Sequence, residues 1–242
     1  MSVNVVCFKW GRGAFGPEYV NRLASMVRRH LSLPHRFVCF TDDEAGIDPT
    51  IETQPLPEWR VPPPSRSLAP WRKLSALLPD LGGLSGKTLY LDLDVVITDN
   101  IDPLFAFSPK LATSENWTQR GQGIGNTSVY AYEIGQFAHV VEAYEREFER
   151  LGIDYVNSQT FMCRKIGREN IEWWPDDWVV SFKHTCMPKG LMQWIETPRL
   201  PKNTRIVVFH GNPKPEHAIE GVWPRKWYKH VRPTPWVAEH WR

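Results

Sequence analysis

The opening of the chain alternates apolar, strand-like runs with a helical pattern, and this alternation limits the available folds more than any other feature. Residues 3–8 and 35–41 are apolar runs typical of buried strands. Between them, apolar residues recur at helical spacing over 17–30, and Pro17 suits the first turn of a helix. A strand, a helix and a strand in this order predict an α/β fold with a parallel sheet.

Further segments of both kinds follow this opening. Residues 55–70 are rich in proline and without periodicity, which predicts an irregular loop. Helices are predicted over 71–78 and 135–151, a central strand over 88–97 and a final strand over 205–210. The chain has 242 residues, enough for one sizeable domain.

Composition excludes few functions but indicates in which cellular compartment to expect the protein. Charged residues make up 23% of the chain and the net charge is +2, which argues against a strong global attraction to nucleic acid or membrane. The sequence shows neither a basic segment followed by an apolar core at Met1 nor an apolar run near the roughly 20 residues of a membrane span. Cys7 and Cys39 lie in apolar runs and match no zinc pattern, so we expect reduced, buried thiols and a cytoplasmic protein.

Two aspartates, Asp92 and Asp94, follow the apolar part of the predicted central strand. Carboxylates two residues apart would point to the same side of a continuing strand, at the sheet edge where open α/β folds bind ligands. Two such oxygen ligands suit Mg²⁺ or Mn²⁺, which could bridge the oxygens of a diphosphate. A solvated strand end or a helix cap is the alternative, and the pair alone does not decide between them.

The surroundings of this pair carry a family resemblance. Residues 86–105, GKTLYLDLDVVITDNIDPLF, closely resemble the core of the retaining GT-A glycosyltransferases that include glycogenin and bacterial lipooligosaccharide galactosyltransferases. The resemblance implies a GT-A fold, which is a Rossmann-like, mainly parallel central sheet flanked by helices, with an irregular C-terminal segment. It also implies that Asp92 and Asp94 bind Mn²⁺ or Mg²⁺, and that the metal holds the diphosphate of a nucleotide-sugar, by default UDP-linked.

A second motif near the end of the chain is similar to the C-terminal motif of the same family. Residues 207–215, VVFHGNPKP, contain a His and a Gly followed by Lys-Pro. The resemblance implies that His210 is the third metal ligand, that Lys214 meets the diphosphate and that Gly211 belongs to the donor-binding loop. The family separates the His from the Gly by one residue and places Trp after the Pro, so this loop departs from the pattern. A histidine satisfied at a strand end is the alternative for His210.

Weaker matches lie between the two motifs. Lys73 resembles the family residue that approaches the donor sugar or phosphate, although a solvated helix residue is an equal alternative. Asn126 corresponds to an asparagine near the sugar. Gln159 corresponds to a glutamine near the reacting carbon, and we assign it a catalytic role together with Asp94. Ser158 stands where the family commonly has Asp, which leaves the choice of sugar and the rate open.

Two further groups complete the predicted site. Phe8, Lys9 and Trp10 end the first strand, where the family binds the nucleotide base, with packing as the alternative. Asp176 and Asp177 lie in a tryptophan-rich segment. A structural role in a loop is favoured for this pair, and binding of an acceptor hydroxyl is the alternative.

The resemblance divides the chain at Pro215. Residues 1–215 are predicted to form the GT-A catalytic domain that binds the nucleotide-sugar, and 216–242 an aromatic and basic tail packed on the same domain. The alternative for the tail is contact with single-stranded nucleic acid or with an anionic membrane, which would place the protein peripherally at the inner membrane surface.

Together with the motifs, the resemblance implies a metal-dependent hexosyltransferase that transfers a sugar to an acceptor hydroxyl with retention of configuration. A glycan, a lipid-linked saccharide, a protein and a modified nucleic-acid base are all open as acceptors. One rival is a phosphohydrolase of the haloacid dehalogenase type, whose motif also places two Asp after an apolar strand. That motif usually opens its domain and carries Thr where this chain has Val96. The other rival, which Ser158 leaves open, is a non-catalytic sugar- or nucleotide-binding module on a GT-A core.

Overall fold

The computed structural model describes residues 2–11, 15–61, 70–106, 110–155 and 157–242. Much of the predicted proline-rich loop, 62–69, lies outside the described residues. Within them, the strands form two sheets, one of seven strands and one of three. None of the described helices is long and apolar enough to cross a membrane.

The strands are β1 Val3–Lys9, β2 His35–Thr41, β3 Glu52–Pro55, β4 Lys87–Leu91, β5 Val95–Ile97, β6 Leu111–Glu115, β7 Gly125–Glu133, β8 Ile171–Trp173, β9 Val179–Ser181 and β10 Ile206–Val208. The central sheet has the spatial order β3-β2-β1-β4-β7-β6-β8, and the smaller sheet has the order β5-β10-β9. Strands β1 to β4 are mutually parallel, and β7 runs antiparallel between β4 and β6. This mostly parallel sheet flanked by helices confirms the predicted fold class.

Helices lie on both sides of the central sheet. The α-helices are α1 Pro17–His30, α2 Asp102–Ala106, α3 Ala138–Arg146, α4 Leu151–Asp154, α5 Ser158–Ile166, α6 Pro215–Glu220 and α7 Pro235–His240. Short 3₁₀ segments cover Trp71–Leu77, Phe148–Arg150, Arg168–Asn170 and Gly190–Trp194, and a π-helical turn covers Phe182–Cys186.

Two predicted helices differ from the observed ones. The helix predicted over 71–78 is a 3₁₀ segment. The helix predicted over 135–151 is divided, because Gly135 has a left-handed φ of +82° before it and the chain leaves helical geometry at Glu147, with φ −101° and ψ 10°. Next to that break, the Phe148 ring lies 3.9 Å from the Arg60 guanidinium, a contact that helical periodicity does not reveal.

Strand β1 explains why the first apolar run is continuous rather than alternating. Val5 and Cys7 belong to the core on one face of the sheet, whereas Val6 and Phe8 belong to the core on the other. A strand covered on both faces by helices needs apolar residues at every position. All four cysteines are buried and free, as expected for Cys7 and Cys39.

The single strand predicted over 88–97 is wrong. Strand β4 ends at Leu91 and the chain passes into β5 of the smaller sheet, so Asp92 and Asp94 occupy the crossing between the sheets. The Asp92 N–H donates to the Ser128 carbonyl at 2.8 Å, and the Asp94 carbonyl accepts the Phe209 N–H at 3.2 Å. The backbone of this short segment is therefore hydrogen-bonded to the seven-stranded sheet at Asp92 and to the residue after β10 of the three-stranded sheet at Asp94.

Part of the C-terminal tail packs on the first helix. Val237 and Trp241 are buried, and the Trp241 ring lies edge-on to Tyr19 with centroids 5.2 Å apart. The Arg22 guanidinium lies 3.9 Å from the centre of the same ring. Trp227, by contrast, is exposed.

Candidate active site

A cavity of about 700 Å³ opens where β1 and β4 end and the chain crosses between the sheets. It brings together side chains from both sequence motifs and from the weaker matches. The predicted site residues that line it are Phe8, Lys9, Trp10, Lys73, Asp92, Asp94, Asn126, Gln159, His210, Gly211 and Lys214.

Two ion pairs dominate the charge of this cavity. Lys73 Nζ lies 2.5 Å from the Asp92 carboxylate, which also accepts the Tyr90 hydroxyl at 3.2 Å. Lys214 Nζ lies 2.5 Å from Asp94 Oδ2. Each aspartate of the first motif therefore holds an ammonium group, one from the 3₁₀ segment before β4 and one from the loop after β10.

Asp94 is the more enclosed of the two carboxylates. Its side chain is 9% exposed, and the side chain of Lys214 is 16% exposed. Burial raises the pKa of Asp94, and the neighbouring Asp92 acts in the same direction, whereas the Lys214 ammonium lowers it. Lys214 thus supplies the charge that holds a buried carboxylate in place.

His210 is held by three neighbours. Its Nε2 lies 2.7 Å from the Ser181 hydroxyl, and its ring is nearly parallel to those of Trp117 and His184, at centroid distances of 5.8 and 5.4 Å. Burial, followed by the Lys183 ammonium, lowers the pKa of His210 to about 3, so the imidazole is neutral at neutral pH.

The three residues predicted to bind a metal contact other side chains in this structure. Asp92, Asp94 and His210 have the donor types that suit Mn²⁺ or Mg²⁺. In the described part of the chain, however, no group of three or more His, Cys, Asp or Glu is placed to hold a metal ion. Each carboxylate is bonded to a lysine, and the histidine Nε2 to Ser181. The metal assignment of the three residues stays a prediction.

The wall formed by β7 and α5 carries uncharged polar groups. Gln159 Oε1 accepts the Thr127 N–H at 3.1 Å, and Asn126 Oδ1 accepts the Ser128 N–H at 3.0 Å. Asn157 caps α5 by accepting the Thr160 N–H at 2.8 Å. Gln159 therefore projects from the first turn of a capped helix, and its amide nitrogen donates no hydrogen bond to the described residues.

The end of β1 forms the opposite part of the cavity. The Phe8 ring stacks on Phe40 at 5.0 Å and belongs to the core, so packing accounts for much of its surface. Lys9 Nζ donates to the Asp43 carbonyl at 2.9 Å. Trp10 is half-buried and lines the opening.

Asp176 and Asp177 stand apart from the described residues that line the cavity. Asp176 pairs with Arg120 at 3.4 Å, and both side chains are largely exposed. Asp177 accepts the Asn203 amide at 2.9 Å. These are loop contacts, and a role for the pair in acceptor binding stays a prediction.

Several residues of the cavity were not predicted from the sequence. Asn116, Thr118 and Gln119 line it from the β6–β7 loop, where Asn116 donates to Gln119 at 2.7 Å. Their signal is only a polar run between two strands, which ordinary loops share. Ser181 has no sequence signal at all, because its contact with His210 depends on the parallel pairing of β9 with β10.

Comparison with solved structures identifies the fold. The galactosyltransferase LgtC in complex with donor and acceptor sugar analogs matches with a TM-score of 0.53 and 14% identity, over 88% of each chain. An active-site mutant of LgtC matches with a TM-score of 0.53 and 13% identity, over 88% of this chain and 89% of that one. No protein-family model and no curated protein matches the sequence. The chain therefore has the GT-A fold seen in LgtC.

Proposed function

We propose that this chain is a glycosyltransferase that moves a sugar from a nucleotide-sugar, by default UDP-linked, to an acceptor hydroxyl with retention of configuration. One observation carries the proposal: two lysine–aspartate pairs meet in one cavity of a GT-A fold. Two ammonium groups and a polar, uncharged wall in the same cavity suit a diphosphate beside a sugar.

The chemistry assigned to the cavity is electrostatic. As the glycosidic bond of the donor breaks, negative charge builds on the leaving diphosphate, and Lys73 and Lys214 are the cations that can stabilise it. The transferred sugar would lie towards Gln159 and Asn126, whose amides suit hydroxyl groups. Gln159 would position or stabilise the sugar ring, whose transition state has oxocarbenium character.

The proposal includes a metal ion, because Asp92, Asp94 and His210 have donor atoms that suit Mn²⁺ or Mg²⁺. Mn²⁺ or Mg²⁺ bound by Asp92, Asp94 and His210 would add Lewis acidity at the diphosphate. Each carboxylate is now paired with a lysine, so the metal would compete with the two ammonium groups for the carboxylate oxygens. Metal dependence therefore has to be measured separately from transfer.

The test is nucleotide release from a panel of UDP- and GDP-sugars, with Mn²⁺, with Mg²⁺ and with a chelator. We expect release from one donor, and a loss of about 10²-fold or more in Asp94→Asn, because the pair that orients Lys214 is broken. Glu142→Gln, an exposed carboxylate on α3, is the matched control and should keep full activity.

Other outcomes identify the rivals. Phosphate release from simple monoesters without nucleotide release would favour the phosphohydrolase. Nucleotide-sugar binding without turnover would favour the binding module. Unchanged turnover in Asp94→Asn would contradict the proposed site, and an inverted anomer in the product would contradict retention.

A further inference from the structure

Exposed hydrophobic side chains are concentrated in two segments of the C-terminal part of the chain. Among the described residues, nine large hydrophobic side chains are exposed, and all but Val61 and Ile153 lie in these two segments. The members are Leu191, Met192, Trp194, Ile195, Val222, Trp227 and Tyr228. We call residues 189–195 and 222–229 the exposed aromatic face.

The two segments of the exposed aromatic face lie side by side. The Trp194 ring stacks on His230 with centroids 4.4 Å apart, and the His230 N–H donates to Gln193 Oε1 at 3.3 Å. Lys229 Nζ lies 5.0 Å from the centre of the Trp223 ring, which connects the two ends of the second segment. These contacts bring the two segments together on the surface.

Several hydrophobic side chains of this surface are largely exposed. Trp227 is 91% exposed, Leu191 81% and Ile195 70%. Contiguous exposed apolar residues with polar neighbours are typical of interaction sites rather than of free surface. We therefore interpret the exposed aromatic face as an interaction site.

The charge of the exposed aromatic face has one sign. Its two segments contain Lys189, Arg225, Lys226 and Lys229 and not a single Asp or Glu. None of these four cations takes part in an ion pair among the described residues. The neighbouring Lys183 is half-buried, and burial, followed by the Lys229, Lys214 and Lys226 ammoniums, lowers its pKa.

Three kinds of partner could cover a cationic aromatic surface, and the residues discriminate among them. A second copy paired by two-fold symmetry would bring the same cations against each other. Single-stranded nucleic acid stacks on aromatic rings, but it offers nothing to the aliphatic Leu191 and Ile195. An anionic bilayer offers hydrocarbon to the aliphatic residues, an interface to Trp and Tyr, and phosphates to the lysines.

We propose that the exposed aromatic face docks on the surface of an anionic lipid membrane. Trp227, Leu191 and Ile195 enter the boundary between headgroups and acyl chains, and Lys189 and Lys226 meet lipid phosphates. The tail therefore has two parts with different tasks. Its end, with Trp241, packs on α1, while 222–229 stays free for the membrane.

The docking face adjoins the candidate active site. Gly211 lines the cavity, and Lys183 Nζ lies next to it. A β-carbon added to Gly211 would be 3.5 Å from this nitrogen. The Lys229 and Lys226 ammoniums are near enough to lower the pKa of Lys183, after the larger effect of burial. Docking would thus bring the cavity close to the headgroup layer and to acceptors anchored there. The use of such acceptors rests on the proposed function, whereas docking itself does not.

The test is co-sedimentation of the full chain with vesicles, without any nucleotide-sugar. We expect binding to phosphatidylcholine vesicles that contain about 30% phosphatidylglycerol, weak binding to phosphatidylcholine alone, and loss of binding as salt rises to about 0.5 M. Lys189→Gln/Lys226→Gln should weaken partitioning by about fivefold for each lysine. Trp227→Ala should weaken it by about tenfold.

The control is Ile153→Ala/Arg164→Gln, which removes an exposed apolar residue and an exposed cation from another part of the surface and should bind like the wild type. The substituted residues of the face are exposed, so unchanged thermal melting is expected in every variant. Absence of binding to the anionic vesicles, or equal binding by the face variants, would overturn the proposal. So would a dimer abolished by Trp227→Ala, or tighter binding to a single-stranded oligonucleotide than to vesicles.

Discussion

Lys73 and Lys214 set the charge balance of the candidate active site. Each places an ammonium 2.5 Å from the carboxylate of an aspartate that lines the cavity, and so compensates the negative charge of that carboxylate. Breaking a buried ion pair by removing one partner is costly because the remaining charge stays desolvated. The same two ammoniums are the groups that a diphosphate would attract, so their contribution to stability and their proposed contribution to binding come from one arrangement.

Lys214→Met should separate these two contributions. We expect the free energy of unfolding to fall by about 3 kcal/mol, because Asp94 is left buried without its partner. Urea denaturation measures this loss. Nucleotide diphosphate binding, measured by calorimetry, should fall below detection, while Lys214→Arg should keep most of the stability.

The double variant Asp94→Asn/Lys214→Met is the control. It removes both charges and should recover most of the lost stability without recovering binding. A loss below about 1 kcal/mol in Lys214→Met would contradict the structural role of the pair, since values that small are typical of exposed ion pairs.

At this scale, the sequence predicted the residues but not their partners. Asp92, Asp94, His210 and Lys214 were found because their motifs are contiguous in the chain. The lysine–aspartate pairs join residues 19 and 120 positions apart, and no local pattern reports such contacts. For the same reason, the metal ligands inferred from the motifs could be named from the sequence, while their bonding to lysines and to Ser181 could not.

Among the elements, α1 was predicted best and the central strand worst. Helix α1 has Pro17 in its first turn and a continuous buried stripe, so local signals alone define Pro17–His30. The apolar run over 88–97 looks like one strand because β4 and β5 are both fully buried beyond Lys87. Whether such a run continues or changes sheet depends on its tertiary partners, which here are Ser128 and Phe209.

Helix α1 should contribute strongly to stability through its buried stripe. Leu23 is completely buried in the core between α1 and the sheets, so Leu23→Ala removes contacts and leaves a cavity. We expect a loss of about 2–5 kcal/mol in the free energy of unfolding, measured by urea denaturation. Arg28→Ala, on the exposed side of the same helix, should change it by less than about 0.5 kcal/mol. Similar effects of the two substitutions would contradict the observed orientation of α1.

At the scale of the whole molecule, the two ends of the chain meet where α7 contacts α1. We call this contact the closure. Arg29 Nη2 donates to the His240 carbonyl at 2.6 Å, and the His30 and His240 rings lie 6.4 Å apart. The surrounding charges are mixed, with Arg29 and Arg242 opposed by Asp99 and Glu239. Composition predicted an aromatic, basic tail, but which part packs on α1 and which part stays exposed depends on this closure.

This closure should make stability sensitive to mild acid. Burial lowers the pKa of His30, and Arg29 and His240 add to the effect; burial also lowers the pKa of His240. In the unfolded chain both titrate near about 6.5, so below that pH the unfolded state binds more protons than the folded one. The free energy of unfolding should therefore fall as pH drops below about 6.5, by at most about 1.4 kcal/mol per pH unit for each histidine.

Urea denaturation between about pH 7.5 and about pH 5 measures this slope, above the range in which carboxylates with ordinary pKa values titrate. His30→Gln/His240→Gln should flatten the slope but not abolish it, because the pKa values of His184 and His210 are lowered in the same direction. Arg29 also holds the backbone at His240, and neither substitution removes that bond, so the variant should stay folded at neutral pH. An unchanged slope in the double variant would mean that the two histidines take up protons equally in the folded and unfolded chain, and that the contact of α7 with α1 is no barrier to their protonation.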